Sequence, residues 1–130
     1  MQDIRFVSEA MAFALHQDQI NRYGGDSGIR DRGLLESALV MPQAMFAGQY
    51  VHEDLIAMAG AYLFHLAKNH AFVDGNKRIA FAVMLYFLDD HGYRLDLTHE
   101  QAEQLVLQVA AGEMSKDQAT AFLRQCTIKR

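Results

Sequence analysis

The spacing of apolar residues along the chain predicts a mostly helical protein. Apolar positions recur at helical intervals after Ser8 and after Asp31, and both residues have side chains that favour helix N-caps. The first of these helices should end at Gly24, since glycine readily adopts the left-handed conformation that follows many helices. Two denser apolar runs, at residues 53–68 and 75–88, predict longer helices that are largely buried.

Two further helices are indicated by capping boxes near the C-terminus. Thr98 is followed three residues later by Gln101, and Ser115 is followed at the same interval by Gln118. In this arrangement the hydroxyl and the glutamine side chain each satisfy a backbone N–H group of the first turn. The expected helices cover about residues 99–110 and 116–125.

The segments between these helices predict little regular sheet. Residues 24–32 have the composition of a turn, a flap or a hairpin, whereas residues 45–51 are ambiguous. Residues 93–97 alternate as a short strand would, but the segment is too short to found a sheet. The pattern as a whole predicts an all-α fold, a compact bundle of about six or seven helices.

Length and composition narrow the class of protein. A chain of 130 residues fits one domain, residues 1–130, and its single cysteine excludes an internal disulfide. We find no secretory pattern, and both apolar runs are shorter than the roughly 20 residues that a membrane helix needs. The net charge of −4 disfavours broad, direct binding to nucleic acid. We therefore expect a cytoplasmic protein.

The most informative segment is residues 70–78, His-Ala-Phe-Val-Asp-Gly-Asn-Lys-Arg. It places Lys77 and Arg78 in the first turn of a predicted helix, where the helix dipole disfavours cations unless an anion lies among them. Gly75 leaves room for a phosphate to approach the backbone, and the N–H groups of Gly75, Asn76 and Lys77 could donate to it. We therefore interpret residues 75–78 as a phosphate site.

The same segment contains residues suited to group transfer. His70 is a candidate general base, and Asp74 is the nearest carboxylate that could share a magnesium ion with phosphate oxygens. Taken alone, Asp74 would more often be a helix N-cap, and His70 a surface or core histidine. We interpret the other five histidines in that structural way, and no pair among the six histidines has zinc spacing.

Residues 70–78 resemble the signature of the Fic/Doc, or Fido, family, His-x-Phe-x-Asp/Glu-Gly-Asn-Gly/Lys-Arg. Residues 22–25, Arg-Tyr-Gly-Gly, also look like the short, Doc-like members. The resemblance implies the all-α Fido fold, with a flap near residues 24–32 that aligns a target segment. It also implies transfer from ATP to a protein hydroxyl, with His70 as base, Asp74 as Mg²⁺ ligand, and Gly75, Asn76, Lys77 and Arg78 as the phosphate cradle.

Two departures from the common family pattern indicate which group is transferred. Most members that transfer nucleotides have glycine where Lys77 stands, and a second arginine where Phe81 stands. Doc-like members share both departures, and they move the terminal phosphoryl of ATP to a threonine of elongation factor Tu. The resemblance therefore implies a kinase-type toxin. AMP transfer is the alternative enzyme activity, and a non-catalytic helical interaction protein is the third hypothesis.

The chain also lacks a clear copy of the inhibitory helix that some family members carry. Ser27 and Asp31 have the spacing of that motif, Ser/Thr-x-x-x-Glu-Gly/Asn, but not its residue types. The resemblance then implies that inhibition comes from a separate, Phd-like antitoxin. The sequence leaves open whether Arg30 and Lys68 contact substrate, and Lys68 could equally cap its own helix.

Overall fold

The computed structural model describes residues 3–130, and most of these residues are helical. Within this range there are six α-helices and one short 3₁₀ turn, Met41–Gln43. The helices are α1 Glu9–Tyr23, α2 Arg32–Val40, α3 Leu55–Asn69, α4 Asn76–Asp90, α5 His99–Ala110 and α6 Lys116–Cys126. The predicted all-α class is therefore confirmed, and each predicted helix is present within a few residues of its expected bounds.

Five of the six helices begin at a side chain that accepts a hydrogen bond from the first turn. These caps are Ser8, Asp31, Asp54, Thr98 and Ser115, and the last two complete capping boxes. Helix α4 differs, because its N-cap is Gly75 and no side chain caps it. The alternative in which Asp74 serves only as the cap of α4 is therefore wrong.

The short strands form two small antiparallel pairs. Strands β1 Met45–Phe46 and β2 Gln49–Tyr50 form a hairpin in the segment that was ambiguous by sequence. Strand β3 Tyr93–Leu95 pairs with β4 Thr127–Lys129, a partner that the sequence did not indicate. The flap segment is not a hairpin of its own, and Ile29 instead forms an isolated antiparallel bridge with Phe72.

Helix α3 lies at the centre of the bundle and packs against α2, α4, α5 and α6. Its apolar residues are buried on nearly all sides, as the continuous apolar run predicted. Gly60 permits the close approach of α6, since a Cβ at this position would overlap the hydroxyl of Thr120. Among the helices of residues 3–130, none is long and apolar enough to cross a membrane. The central position of α3 fixes the loop that follows it.

Two histidines at the contact between α3 and α6 should make stability depend on pH. Burial, then the charge of Lys116 and then His52 lower the pKa of His65 from 6.5 to about 4, and its Nε2 lies 3.3 Å from Lys116 Nζ. Burial, followed by Lys116, also lowers the pKa of His52, although Asp117 opposes this shift. The unfolded chain therefore binds these protons at a higher pH than the folded protein does.

We expect the free energy of unfolding to fall as the pH drops from 6.5 towards 4. Urea unfolding at several pH values would measure this loss, and His65→Gln should reduce it because the titrating group is gone. His99→Gln, which changes an exposed histidine, is the control. An equal loss in the His65→Gln variant and the unaltered protein would contradict the prediction.

Candidate active site

The candidate site is the loop that joins the buried helices α3 and α4. Helix α3 ends at Asn69, and His70 then adopts the left-handed conformation with φ 50° and ψ 48°. Gly75 also has a positive φ of 76° and turns the chain into α4. The His70 side chain is exposed, and it forms no hydrogen bond or ion pair within residues 3–130. A left-handed residue that is not glycine costs free energy, so surrounding contacts must hold it in place.

The flap supplies those contacts through its backbone and through Arg30. The Arg30 guanidinium donates from Nε to the His70 carbonyl at 2.8 Å and from Nη2 to the Asn69 carbonyl at 3.4 Å. The backbone N–H groups of Arg30 and Asp31 donate to the Ala71 carbonyl at 2.8 and 3.0 Å. Arg30 therefore satisfies carbonyls at the end of α3 and holds the His70 backbone.

Asn76 holds the middle of the loop from inside. Its Nδ2 donates to the Phe72 carbonyl at 2.9 Å, and its Oδ1 accepts the Phe72 N–H at 3.0 Å. Phe72 is only 1% exposed, so this pair of bonds anchors the loop to the core. The side chain of Asn76 is thus occupied within the protein, and only its backbone N–H is left for a ligand.

His16 of α1 supports the loop from the opposite side. It is 2% exposed, its Nε2 lies 2.8 Å from the Asp74 carbonyl oxygen, and its ring stacks on that of Phe72 at 3.7 Å. The sequence interpretation of His16 as a surface or satisfied core histidine was right about its bonding. The sequence did not indicate that His16 contacts Asp74, because the two residues are 58 positions apart and no local pattern connects them.

Charged groups surround the start of α4. One oxygen of Asp74, Oδ1, accepts the Gly75 N–H at 2.8 Å, and the other faces the flap, where a Cβ on Gly25 would lie 2.5 Å away. Arg78 donates to the Gly24 carbonyl at 3.4 Å and lies over the Tyr23 ring at 5.3 Å. Lys77 is exposed and has no acidic partner in the described part of the chain.

This arrangement suits the binding of phosphate. The first N–H groups of α4 have no side-chain cap, and Lys77 adds an uncompensated positive charge beside them. In the described residues, no cluster of three or more His, Cys, Asp or Glu could hold a metal alone. A magnesium ion at Asp74 would therefore need phosphate oxygens as additional ligands, which is how nucleotide-bound magnesium is usually held. Asp74 and the open helix terminus fit that group.

Lys68 does not cap its own helix, and its contribution to the basic cluster stays a prediction. Its ammonium lies over the Phe64 ring at 5.7 Å, and a Cβ on Gly112 would be 3.4 Å from it. The ammonium forms no hydrogen bond to the carbonyls at the end of its own helix in the part of the chain that is described. Lys68 therefore packs between α3 and the loop after α5.

Replacement of Asn76 by alanine should loosen the loop. The change removes both bonds to Phe72 and leaves two buried backbone groups without their partner, at a cost of about 1–3 kcal/mol. Urea unfolding would measure this loss, and amide exchange should accelerate at Phe72. Gln108→Ala, which removes an amide side chain on α5 outside the loop, is the control and should change neither quantity. Unchanged stability and exchange in Asn76→Ala would refute the anchoring role.

Comparison with known proteins identifies the family of this fold and loop. Residues 6–88 match the Fic/DOC family. The chain is 41% identical over 103 residues to a protein named Toxin Doc from Mycolicibacterium smegmatis, covering 78% of this chain and 79% of the relative. It is 34% identical over 122 residues to the Protein kinase doc of Escherichia phage P1, covering 94% and 95%. The chain belongs to the Fic/DOC family, and the predicted resemblance is confirmed.

Proposed function

We propose that this protein is a toxin that acts as a phosphotransferase and moves the terminal phosphoryl of ATP to a Ser or Thr hydroxyl of a protein. The observation that carries the proposal is the uncapped start of α4, with the unpaired Lys77 beside it and Asp74 and His70 in the preceding loop. The relatives' names, a Doc toxin and a Doc protein kinase, support the same activity.

Each residue of the loop has a distinct role in this proposal. The exposed imidazole of His70 removes the proton from the attacking hydroxyl, and its backbone bond to Arg30 sets its position. The N–H groups of Asn76 and Lys77 and the Lys77 ammonium stabilise charge on the transferred phosphate, whereas the Gly75 N–H donates to Asp74. Asp74 would hold Mg²⁺, which when bound neutralises phosphate charge.

Two residues favour phosphoryl transfer over AMP transfer. Lys77 places an ammonium group at the start of α4 where nucleotide-transferring members have glycine, and its charge is not compensated by an acidic residue in the described range. Phe81 is half-buried and offers no second guanidinium one turn further along α4. A triphosphate would therefore be held by Lys77 and by Arg78. The Arg78 guanidinium also donates to the Gly24 carbonyl at the end of α1.

We propose that a separate antitoxin of the Phd type inhibits the toxin. Ser27 lies in the flap outside any helix, and Asp31 caps α2 by accepting the Leu34 N–H at 3.1 Å. These two residues therefore do not form an inhibitory helix. Elongation factor Tu is the proposed target, reached in the cytoplasm without direct binding to nucleic acid.

Labelled nucleotides test the proposal directly. The protein is incubated with bacterial lysate and ATP labelled at either the γ or the α phosphate, with His70→Ala as the inactive control. Label from the γ position should appear on one protein, and the control should show none. Label from the α position would favour AMP transfer, and equal labelling by His70→Ala would refute catalysis at this loop.

A further inference from the structure

We infer that His16 is a positioning residue that fixes the Asp74 carboxylate for magnesium and phosphate. The effect of His16 on catalysis rests on the proposed phosphotransferase function. His16 lies on α1, outside the signature loop, and contacts the loop through one hydrogen bond and one ring stack. Neither contact involves the reacting atoms, so the effect of His16 on chemistry must pass through Asp74.

The hydrogen bond of His16 reaches the carboxylate through a single peptide unit. The carbonyl of Asp74 can only accept, so the Nε2 of His16 must carry the proton that is donated at 2.8 Å. The N–H of the same peptide unit belongs to Gly75 and donates to the Asp74 Oδ1 at 2.8 Å. Because a peptide unit is planar, the donor on His16 sets the direction of the N–H group that holds the carboxylate.

Gly75 makes this support necessary. Its φ of 76° lies in a region where glycine meets little steric resistance, so the peptide unit before it can rotate at low cost. The described residues place one side-chain donor, His16, on the carbonyl of that unit. Without it, the Gly75 N–H could turn away from Asp74, and the carboxylate would lose its fixed orientation.

The ring stack keeps the donor in place. His16 lies parallel to Phe72, with an angle of 13° between the rings, and Phe72 is anchored in turn by Asn76. This stack and the burial of His16 leave its ring little freedom to turn away from the Asp74 carbonyl. The two contacts can be separated by mutation, because phenylalanine keeps the stack whereas glutamine keeps a donor.

The experiment compares His16→Phe and His16→Gln with a matched control, His91→Phe. His91 is also buried, at 5% exposure, and its Nδ1 bonds to the Phe87 carbonyl at 2.7 Å near the opposite end of α4. The magnesium concentration for half-maximal phosphoryl transfer should rise about tenfold in His16→Phe, a typical result when a supporting bond to a metal ligand is lost. The KM for the protein target should not change.

His16→Gln should recover part of the magnesium affinity, and His91→Phe should lower stability without changing that affinity. An unchanged magnesium requirement in His16→Phe would overturn the inference. So would an equal increase in His91→Phe, because it would indicate a general effect of buried histidines on the fold.

Amide hydrogen exchange without nucleotide separates this inference from the proposed function. Exchange at Gly75 should accelerate in His16→Phe and return towards the original rate in His16→Gln. If no phosphoryl transfer is detected in any variant but this exchange pattern appears, the proposed activity fails and the positioning by His16 stands. Unchanged exchange at Gly75 in His16→Phe would overturn the positioning itself.

Discussion

Replacement of His70 by alanine should lower phosphoryl transfer by about 10²–10⁴-fold, the range typical for loss of a general base. The exposed imidazole makes no contact that stabilises the fold within residues 3–130, so the variant should remain folded. The backbone of residue 70 stays bonded to Arg30 in either case. Single-turnover rates with saturating ATP would measure the loss.

Two further variants make this result specific. His70→Asn is a second inactive variant, because asparagine tolerates the left-handed conformation of residue 70 better than most residues do. His99→Ala removes an exposed histidine at the start of α5 and should leave the rate unchanged. A rate in His70→Ala within a few-fold of the unaltered protein would contradict the role of His70 as base.

Replacement of Asp74 by asparagine should lower transfer by about a hundredfold or more, because a bound metal stabilises charge in the transition state by several kcal/mol. The asparagine oxygen can still accept the Gly75 N–H, so the loop should keep its conformation. The negative charge that holds magnesium is lost. A titration of the transfer rate with magnesium should therefore show much weaker saturation.

Asp18→Asn is the control for this prediction, because Asp18 is an exposed carboxylate on α1 that pairs with Arg22. It should titrate with magnesium as the unaltered protein does. Identical titrations for Asp74→Asn and the unaltered protein would remove Asp74 from the proposed metal site.

The parts of this structure that sequence predicted are those with local signals. Helices α1, α2, α5 and α6 begin at polar caps that bond to residues close by in the sequence. The local sequence was therefore sufficient to predict where these helices start. Cations at the start of α4 indicated a phosphate site because they contradict the usual preference of a helix N-terminus. The uncapped terminus at Gly75 agrees with that interpretation.

The contacts that support the candidate site were not predictable in this way. His16 and Asp74 are 58 positions apart, and Arg30 and His70 are 40 apart. No periodicity or spacing connects such pairs, because tertiary packing alone brings them together. The pairing of β3 with β4 was also missed, because the two strands are distant in sequence. Each strand has only three residues, which is too short for a clear local pattern.

The intact mass of a modified target protein distinguishes phosphoryl transfer from AMP transfer. Purified elongation factor Tu is incubated with this protein, ATP and magnesium, and its intact mass is measured over time. We expect the addition of one phosphoryl group, which should depend on His70 and Asp74. Addition of an adenylyl group, or an unchanged mass of elongation factor Tu, would contradict the proposed phosphoryl transfer to this factor.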